Sequence, residues 1–444
     1  MNEHLTPEIL SYIFNNMDDA VCVIQKNGML LYLNPAASEL FGISPESVRK
    51  NKIWEAIPRI KRNDKLMQVF IDAIMVHSKT QQALVPYENN EKQVFQLWVN
   101  IAYTNDQDGM FVIVISDLTR MIRINAALER YTSPDIADFV LNDPKGEKQG
   151  GRSKEVTVLM SDLRGFTALS AGLNADQMIK CLNHYFEKMV SVIEKNQGTV
   201  IEILGDGIFV VFGAPKDDRD HAGHAVNCAV DMQNAMKSVN EWNVQKGFPV
   251  LEMGIGINSG PAVVGNIGSK QKMKYGVMGY TVNLAGRIES LTVGGQIFIS
   301  ENTSALLGED LQINVQNDIM LKGAKKPLTV FDIKGLGKNC LSVLADNEVK
   351  WQKVSFETQL HFYLLDGKLV KTESHTGCIT ALSEFRRSAL LQTDCPLNIG
   401  DNIMIQTDID VYAKVTGQQD KEWIISFTMR PDGFSDWIDN LVGV

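Results

Sequence analysis

The apolar positions of this chain change rhythm along its length, and each rhythm predicts a different kind of domain. Between residues 8 and 119, short apolar runs are broken by turns. Residues 20–24 and 30–33 flank Lys26-Asn27-Gly28, which reads as strand, turn, strand. A helix is predicted from Asn34-Pro35 to Phe41. Asn34 can cap it, and Pro35 suits the first helical position, where no N–H is needed. Runs at 94–103 and 109–116 predict two more strands around the turn 105–109. From Arg120 to Leu141 the repeat is helical, with Met121, Ile124, Ala127, Leu128 and Tyr131 in phase. That spacing predicts one helix pairing with its copy in a second chain as a short coiled coil. Asp143 to Arg152 is a polar, Gly-rich linker.

The middle of the chain alternates both rhythms. It predicts strands at 155–162, 199–204, 208–213, 250–258, 262–267 and 296–299, and helices at 174–196, 218–246 and 281–292. This order predicts a sheet with helices packed on one face. After Gly335-Leu336-Gly337 the runs at 360–365, 389–393, 402–406, 411–415 and 423–427 are all strand-like, so the last segment reads as mostly β. The expected organisation is multidomain α+β: one domain over 8–119, a helix and linker over 120–153, a second domain over 154–338 and a third over 341–444.

Composition narrows the function. A chain of 444 residues is too long for one ordinary core, which fits that division. The formal charge of −10 argues against nucleic acid as the main partner. It does not exclude a nucleotide, because metal ions and a few local cations set the field of such a site. The six cysteines are scattered with no Cys-x-x-Cys, which suits thiols in a reducing compartment better than a disulfide frame or a zinc site. The longest apolar run, 110–115, is far short of a membrane span, and the first residues carry no basic stretch before an apolar one. The expectation is a cytoplasmic protein without membrane insertion.

Two aspartates are the first candidates for chemistry. Asp162 ends the apolar run 156–160, and Asp206 sits at the tip of a predicted hairpin, Leu204-Gly205-Asp206-Gly207. If those strands lie side by side, the carboxylates converge at one end of a sheet, an arrangement suited to holding two divalent ions on a triphosphate. Each aspartate alone has a plainer reading: Asp-Gly is a hairpin turn, and an Asp after a strand is a helix cap. Asn283 and Arg287 share a helix face at i and i+4, and Lys322-Gly323 means nothing by itself. Weight comes from all five occurring in order within one domain-sized segment.

Together with Ser161-Asp-Leu-Arg-Gly-Phe-Thr167, Leu204-Gly-Asp-Gly207, Gly260-Pro-Ala-Val-Val-Gly265, Tyr275-Gly-Val-Met-Gly279, Val282-Asn-Leu-Ala-Gly-Arg-Ile-Glu289 and Leu321-Lys-Gly323, the middle segment resembles a class III nucleotidyl cyclase catalytic domain. The resemblance implies a ferredoxin-like palm and an attack of the ribose 3′-oxygen on the α-phosphorus, with pyrophosphate leaving. It implies that Asp162 and Asp206 hold two Mg²⁺ or Mn²⁺ ions, and that amides at Gly165, Phe166 and Thr167 receive phosphate oxygens. Asn283 would orient the ribose, Arg287 would meet charge growing on the α-phosphate, and Lys322 would hold the terminal phosphates. In that family one site uses both chains of a dimer, so a single domain with the full set implies a homodimer.

The base is a separate question. The family's adenine readers place a Lys four residues before the second metal Asp and an Asp or Thr after the later Tyr. Here those positions are Glu202 and Gly276. A carboxylate accepts from the N1–H and N2–H₂ of guanine but faces a lone pair on adenine N1. The pair resembles bacterial guanylyl cyclases, so GTP is the expected substrate, with ATP as the alternative.

The flanking segments carry weaker resemblances. With Asn34-Pro-Ala-Ala37, residues 8–119 resemble a PAS sensor domain, whose ligand, if it has one, the sequence does not name; His77 invites a haem reading, but a lone His in a helical stretch is ordinarily just solvated, so haem is not expected. The last segment resembles a PilZ barrel. Working PilZ domains grip cyclic di-GMP with an Arg-x-x-x-Arg motif and an Asp-x-Ser-x-x-Gly turn. No Arg precedes Leu360 in this segment, and Ala381 and Arg386 stand where the Asp and Gly belong, so cyclic di-GMP is not expected to bind. Two rival readings are a non-catalytic signalling scaffold, whose mark would be a lost Asp or Arg, and a diguanylate cyclase, whose Gly-Gly-acidic hairpin is absent.

Overall fold

The computed structural model describes residues 6–442 apart from 45, 47, 77–79, 105–108, 145, 147, 167–172, 320–326, 343–350, 367–368, 385 and 430–432. The chain divides into two units, Met1–Tyr131 and Thr132–Val444.

In the first unit, helices α1 (Pro7–Asn15), α2 (Pro35–Phe41), α3 (Asp64–Val76) and α4 (Thr119–Tyr131) accompany strands β1 (Ala20–Gln25), β2 (Leu30–Leu33), β3 (Thr80–Glu88), β4 (Val94–Tyr103) and β5 (Met110–Asp117). The strands form an antiparallel sheet in the order β2-β1-β5-β4-β3. Asn34 does more than cap α2. Its Oδ1 accepts from the Ala37 and Val21 amides, both at 2.9 Å, and its Nδ2 donates to the carbonyls of Phe14 (3.1 Å) and Asp19 (2.9 Å). One buried amide thus ties the end of α1 to β1 and α2. Strand β3 was not predicted, because Gln81, Gln82 and Pro86 interrupt its apolar pattern; it is an edge strand, where Pro is tolerated. His77 and the turn 105–108 lie outside the described residues.

The predicted single helix 120–141 is two. Ser133 is extended (φ −71°, ψ 153°) before Pro134, a conformation that proline imposes on its predecessor. The second piece, α5 (Pro134–Asn142), buries Ile136 and Ala137 against the central sheet of the second unit.

That sheet is built from β6 (Gly150–Leu163), β7 (Thr199–Leu204), β8 (Gly207–Phe212), β9 (Met253–Gly268), β10 (Met273–Met278), β11 (Ile297–Ser300), β12 (Leu311–Ile319), β13 (Leu328–Leu336) and β14 (Asn339–Cys340). Its order is β12-β13-β11-β9-β6-β8-β7, with β10 beside β9 and β14 beside β13. The strands expected at 250–258 and 262–267 are one strand, β9. Gly260-Pro261 reads as a turn, but Gly260 (φ +153°) lets the chain run on, and β9 pairs with β6 without a break from Met253 to Asn266. β6 likewise starts at Gly150, inside the expected linker.

Helices α6 (Ala175–Lys195) and α7 (His221–Lys246) cover one face, over Leu159, Val210, Phe212 and Ile257. Helix α8 (Tyr280–Leu291) and α5 lie on the other, over Val156, Val158, Phe209 and Val211. The expectation of helices on one face is therefore corrected. Every residue of β8 is buried, and a strand apolar on both sides needs a layer on each.

After the one-turn helix α9 (Glu301–Ser304), β13 and β14, the chain enters a closed barrel: β15 (Trp351–Asp366), β16 (Leu369–Ser383), β17 (Ser388–Gln392), β18 (Asn402–Gln406), β19 (Val411–Gln419) and β20 (Glu422–Met429). The order around it is β15-β16-β17-β20-β19-β18. β16 was missed because Lys371, Glu373, Ser374 and His375 give it a polar start. A final helix, α10 (Phe434–Val442), adds Phe434, Ile438 and Leu441 to the barrel's core. None of the six cysteines forms a disulfide, and among the described residues no helix is long and apolar enough to cross a membrane.

Candidate active site

The hairpin signal at Asp206 and the strand end at Asp162 meet as expected. β7 and β8 are joined by the two-residue turn Gly205-Asp206, and β8 runs antiparallel to β6 with Ser161 opposite Ile208. Asp162 therefore lies across from Gly207, next to Asp206. A Cβ on Gly207 would stand 2.9 Å from the Ser161 carbonyl and 3.2 Å from Asp162 Oδ1, so a glycine is required for this approach. Both carboxylates are half-buried. Two hard oxygen donors side by side at a strand end, with no bulk between them, fit Mg²⁺ or Mn²⁺ that takes its remaining ligands from water and phosphate.

Arg164, unassigned in the sequence, lies close by. Burial lowers the pKa of its guanidinium, while Asp162 and Asp206 act against that, so it stands in the field of both aspartates. Its side chain is only 10% exposed and pairs with Glu289 of α8. Gly165 is left-handed (φ +66°), which turns the chain out of β6, and Phe166 is anchored in the core beneath α6. Thr167 lies outside the described residues, as does Lys322.

Helix α8 is fixed tightly to the sheet. A Cβ on Gly256 of β9 would meet the Glu289 amide at 2.2 Å. Thr281 donates to the Pro261 carbonyl at 2.7 Å, and Asn258 Nδ2 donates to the Thr281 carbonyl at 2.9 Å. Leu284, Ala285 and Ile288 are buried, whereas Asn283 and Arg287 are exposed on the opposite face. Residues 287 and 289 are two steps apart, about 200° around a helix. With Glu289 paired to Arg164, Arg287 is turned away from the side that faces its own chain's Asp162.

Glu202 lies where β7 shifts register against β8, between Val200 and Glu202, a bulge that re-aims side chains. Its carboxylate pairs with Lys274 of β10 at 2.6 Å. Tyr275 and Val277 are buried on one face of β10, which leaves Lys274 and Gly276 sharing the other. Gly276 is opposite Gly265, and a Cβ there would stand 3.1 Å from Ile267 Cδ1.

Residues 149–335 match the family described as adenylate and guanylate cyclase catalytic domain, and residues 8–118 match the PAS fold. The middle of the chain is a class III cyclase catalytic domain. Adenylate cyclase 1 of Rhizobium meliloti is 30% identical over 236 residues, which is 50% of this chain and 35% of that protein. A membrane guanylyl cyclase of Dictyostelium discoideum is 28% identical over 218 residues, 48% of this chain and 14% of the other. Among solved structures, the guanylyl cyclase Cya2 shares 48% identity over 44% of this chain and 100% of its own, with a TM-score of 0.43. The adenylyl cyclase CyaB from P. aeruginosa shares 32% over 43% and 99%, with a TM-score of 0.41. The chain spans well under two thirds of the curated relatives it matches, 35% and 48% of the first two.

Within the cyclase domain, sequence reasoning missed Lys274, Arg164 and Glu289. Lys274 had a signal, because it precedes Gly276 by two and alternation puts both on one face of a strand. The Arg164–Glu289 pair had none, because its partners are 125 residues apart.

Proposed function

We propose that this chain is a PAS-regulated nucleotidyl cyclase that converts GTP to 3′,5′-cyclic GMP and pyrophosphate at sites shared between the two chains of a homodimer. The observation that carries the reading is the meeting of Asp162 and Asp206 across Gly207. Bound there, two divalent ions would lower the pKa of the ribose 3′-hydroxyl and neutralise the triphosphate. The protein's own groups do the positioning. Asn283 orients the ribose, and Arg287, always charged and planar, meets charge growing on the α-phosphate. The amides at Gly165, Phe166 and Thr167 and the ammonium of Lys322 hold the outer phosphates. Holding reactants in line supplies much of the acceleration in such transfers.

Two geometric facts support shared sites. Arg287 and Asn283 are exposed on the face of α8 turned away from the Arg164 contact, so they are placed to serve a second chain. Within the chain the cation that stands in the field of both aspartates is Arg164, which is already paired with Glu289.

The Glu202–Lys274 pair supports guanine. Its carboxylate accepts from N1–H and N2–H₂, and its neighbouring ammonium donates to O6. Adenine would set an amine against the ammonium and a lone pair against the carboxylate, leaving both unmatched. ATP is the second reading, because relatives of both names match this chain. We also read the barrel as PilZ-like and without its cyclic di-GMP grip. The test is one assay of the purified chain with GTP and ATP side by side in Mg²⁺ or Mn²⁺, with product identified by mass. Cyclic GMP from GTP is the expected result. Cyclic AMP from ATP without cyclic GMP overturns the base assignment, and no product from either overturns the activity.

A further inference from the structure

The barrel touches the cyclase domain at one end of the helix that carries Asn283 and Arg287. Along β19, Val411, Ala413 and Val415 fill the barrel's core, so Lys414 must point outwards. An outward lysine on a barrel strand is ordinarily exposed, yet Lys414 is 3% exposed. The cyclase domain covers it. Its Nζ donates to the carbonyl of Ser290, and to that of Thr292 at 3.0 Å. Those two carbonyls sit at the C-terminal end of α8, where backbone acceptors have no helical partner and the helix dipole favours a cation. An apolar contact seats the same helix end. Ile399 packs beside Leu284, Ile288 and Leu291, and a Cβ on Gly400 (φ +97°) would stand 2.9 Å from Leu291 Cδ2. This turn is tied to β19 next to Lys414, by Gly400 N to Val415 O at 2.7 Å and Val415 N to Asp401 O at 2.8 Å.

On its other side the last turn of α8 is held by Glu289, which pairs with Arg164 beside Asp162. The helix end is thus clamped between the barrel and the end of β6 that carries Asp162. Burial, and then Arg164, pull the Lys414 ammonium down to about 7, so placing a lysine here carries a cost that an apolar residue would not.

We infer that the barrel is a positioning element for the catalytic helix: Lys414, seated by the turn at 397–401, fixes the C-terminal end of α8 and with it the placement of Asn283 and Arg287. Lys414 is a positioning residue, and its catalytic consequence rests on the cyclase reading above. Because α8 serves the partner's site while Asp162 serves its own, the clamp bears on both sites of a dimer.

The test is Lys414→Met in the full chain, read by steady-state kinetics with GTP and by amide hydrogen exchange. A displacement of the helix end should lower kcat roughly ten- to a hundredfold with KM little changed. Exchange should quicken at the last turn of α8 and stay as it was in β6. An unchanged kcat, or a loss expressed only in KM, overturns the positioning role. If Lys414→Met does not fold, Ile399→Ala loosens the same seat with the ammonium in place, and the same readings decide. If the unaltered chain makes no cyclic nucleotide, the functional reading fails separately. Exchange then decides the clamp alone: faster exchange at residues 288–292 supports it, and unchanged exchange overturns it.

Discussion

Glu202→Gln isolates the base assignment, because it keeps the shape of the side chain and removes its charge. In the native chain the carboxylate lies 2.6 Å from the Lys274 ammonium. The amide retains one neutral acceptor and turns an N–H₂ towards guanine's own donors. A hydrogen bond to a charged group is worth roughly 1.5–3 kcal/mol, or ~10- to 160-fold in rate. The side chains of Glu202 and Lys274 are 42% and 54% exposed, so solvent screening puts the loss at the low end, about tenfold. The assay is kcat/KM for GTP and for ATP on the same preparation, with the thermal midpoint as a control. That midpoint should barely move, since an exposed ion pair contributes about 0–1 kcal/mol. The expected result is a fall for GTP without a matching fall for ATP. Equal losses on both nucleotides, or none on GTP, would refute the role given to this carboxylate.

Three further outcomes are expected. Asp206→Ala and Arg287→Ala should each be inactive, but mixed in equal amounts should recover about a quarter of native turnover, because half the dimers keep one intact site; no recovery argues against shared sites. Gly207→Ala would press a methyl 2.9 Å from the Ser161 carbonyl and 3.2 Å from Asp162 Oδ1; kcat should fall on the order of a hundredfold and stability by about 1–3 kcal/mol, read by turnover and urea unfolding. Lys414 should make stability pH-dependent. Its folded pKa of about 7 lies below the ordinary 10.5, so the unfolded chain binds the extra proton between those values. The burial cost is full below about pH 7 and fades as pH rises through that window. Urea midpoints of the native chain should therefore rise with pH relative to Lys414→Met, with Arg164, Asp162 and Glu289 left in place in both.

The sequence by itself determined whatever rests on near neighbours. Asp-Gly between apolar runs set the turn that carries Asp206, the Asn34-Pro35 step set a helix start, and i,i+4 spacing put Asn283 and Arg287 on one face. The uninterrupted apolar run of β8 also encoded burial on both faces, although the second helix layer was not drawn from it. Local signals misled where tertiary contacts outweigh them. Gly260-Pro261 has the composition of a turn, but pairing with β6 keeps the strand whole. β16 begins polar because residues 370–374 are exposed in succession, on both faces of the strand, before it enters the barrel's core at Gly377. Only the tertiary structure decided the pairings between distant residues: Arg164 with Glu289, Lys274 with Glu202, and Lys414 with the carbonyls that end α8. The physical reason is that a hydrogen-bonded turn or a helix face is written in the residues beside it. A charge partner seventy or more residues away is chosen by how sheets and domains stack, and one sequence carries no periodicity that names it.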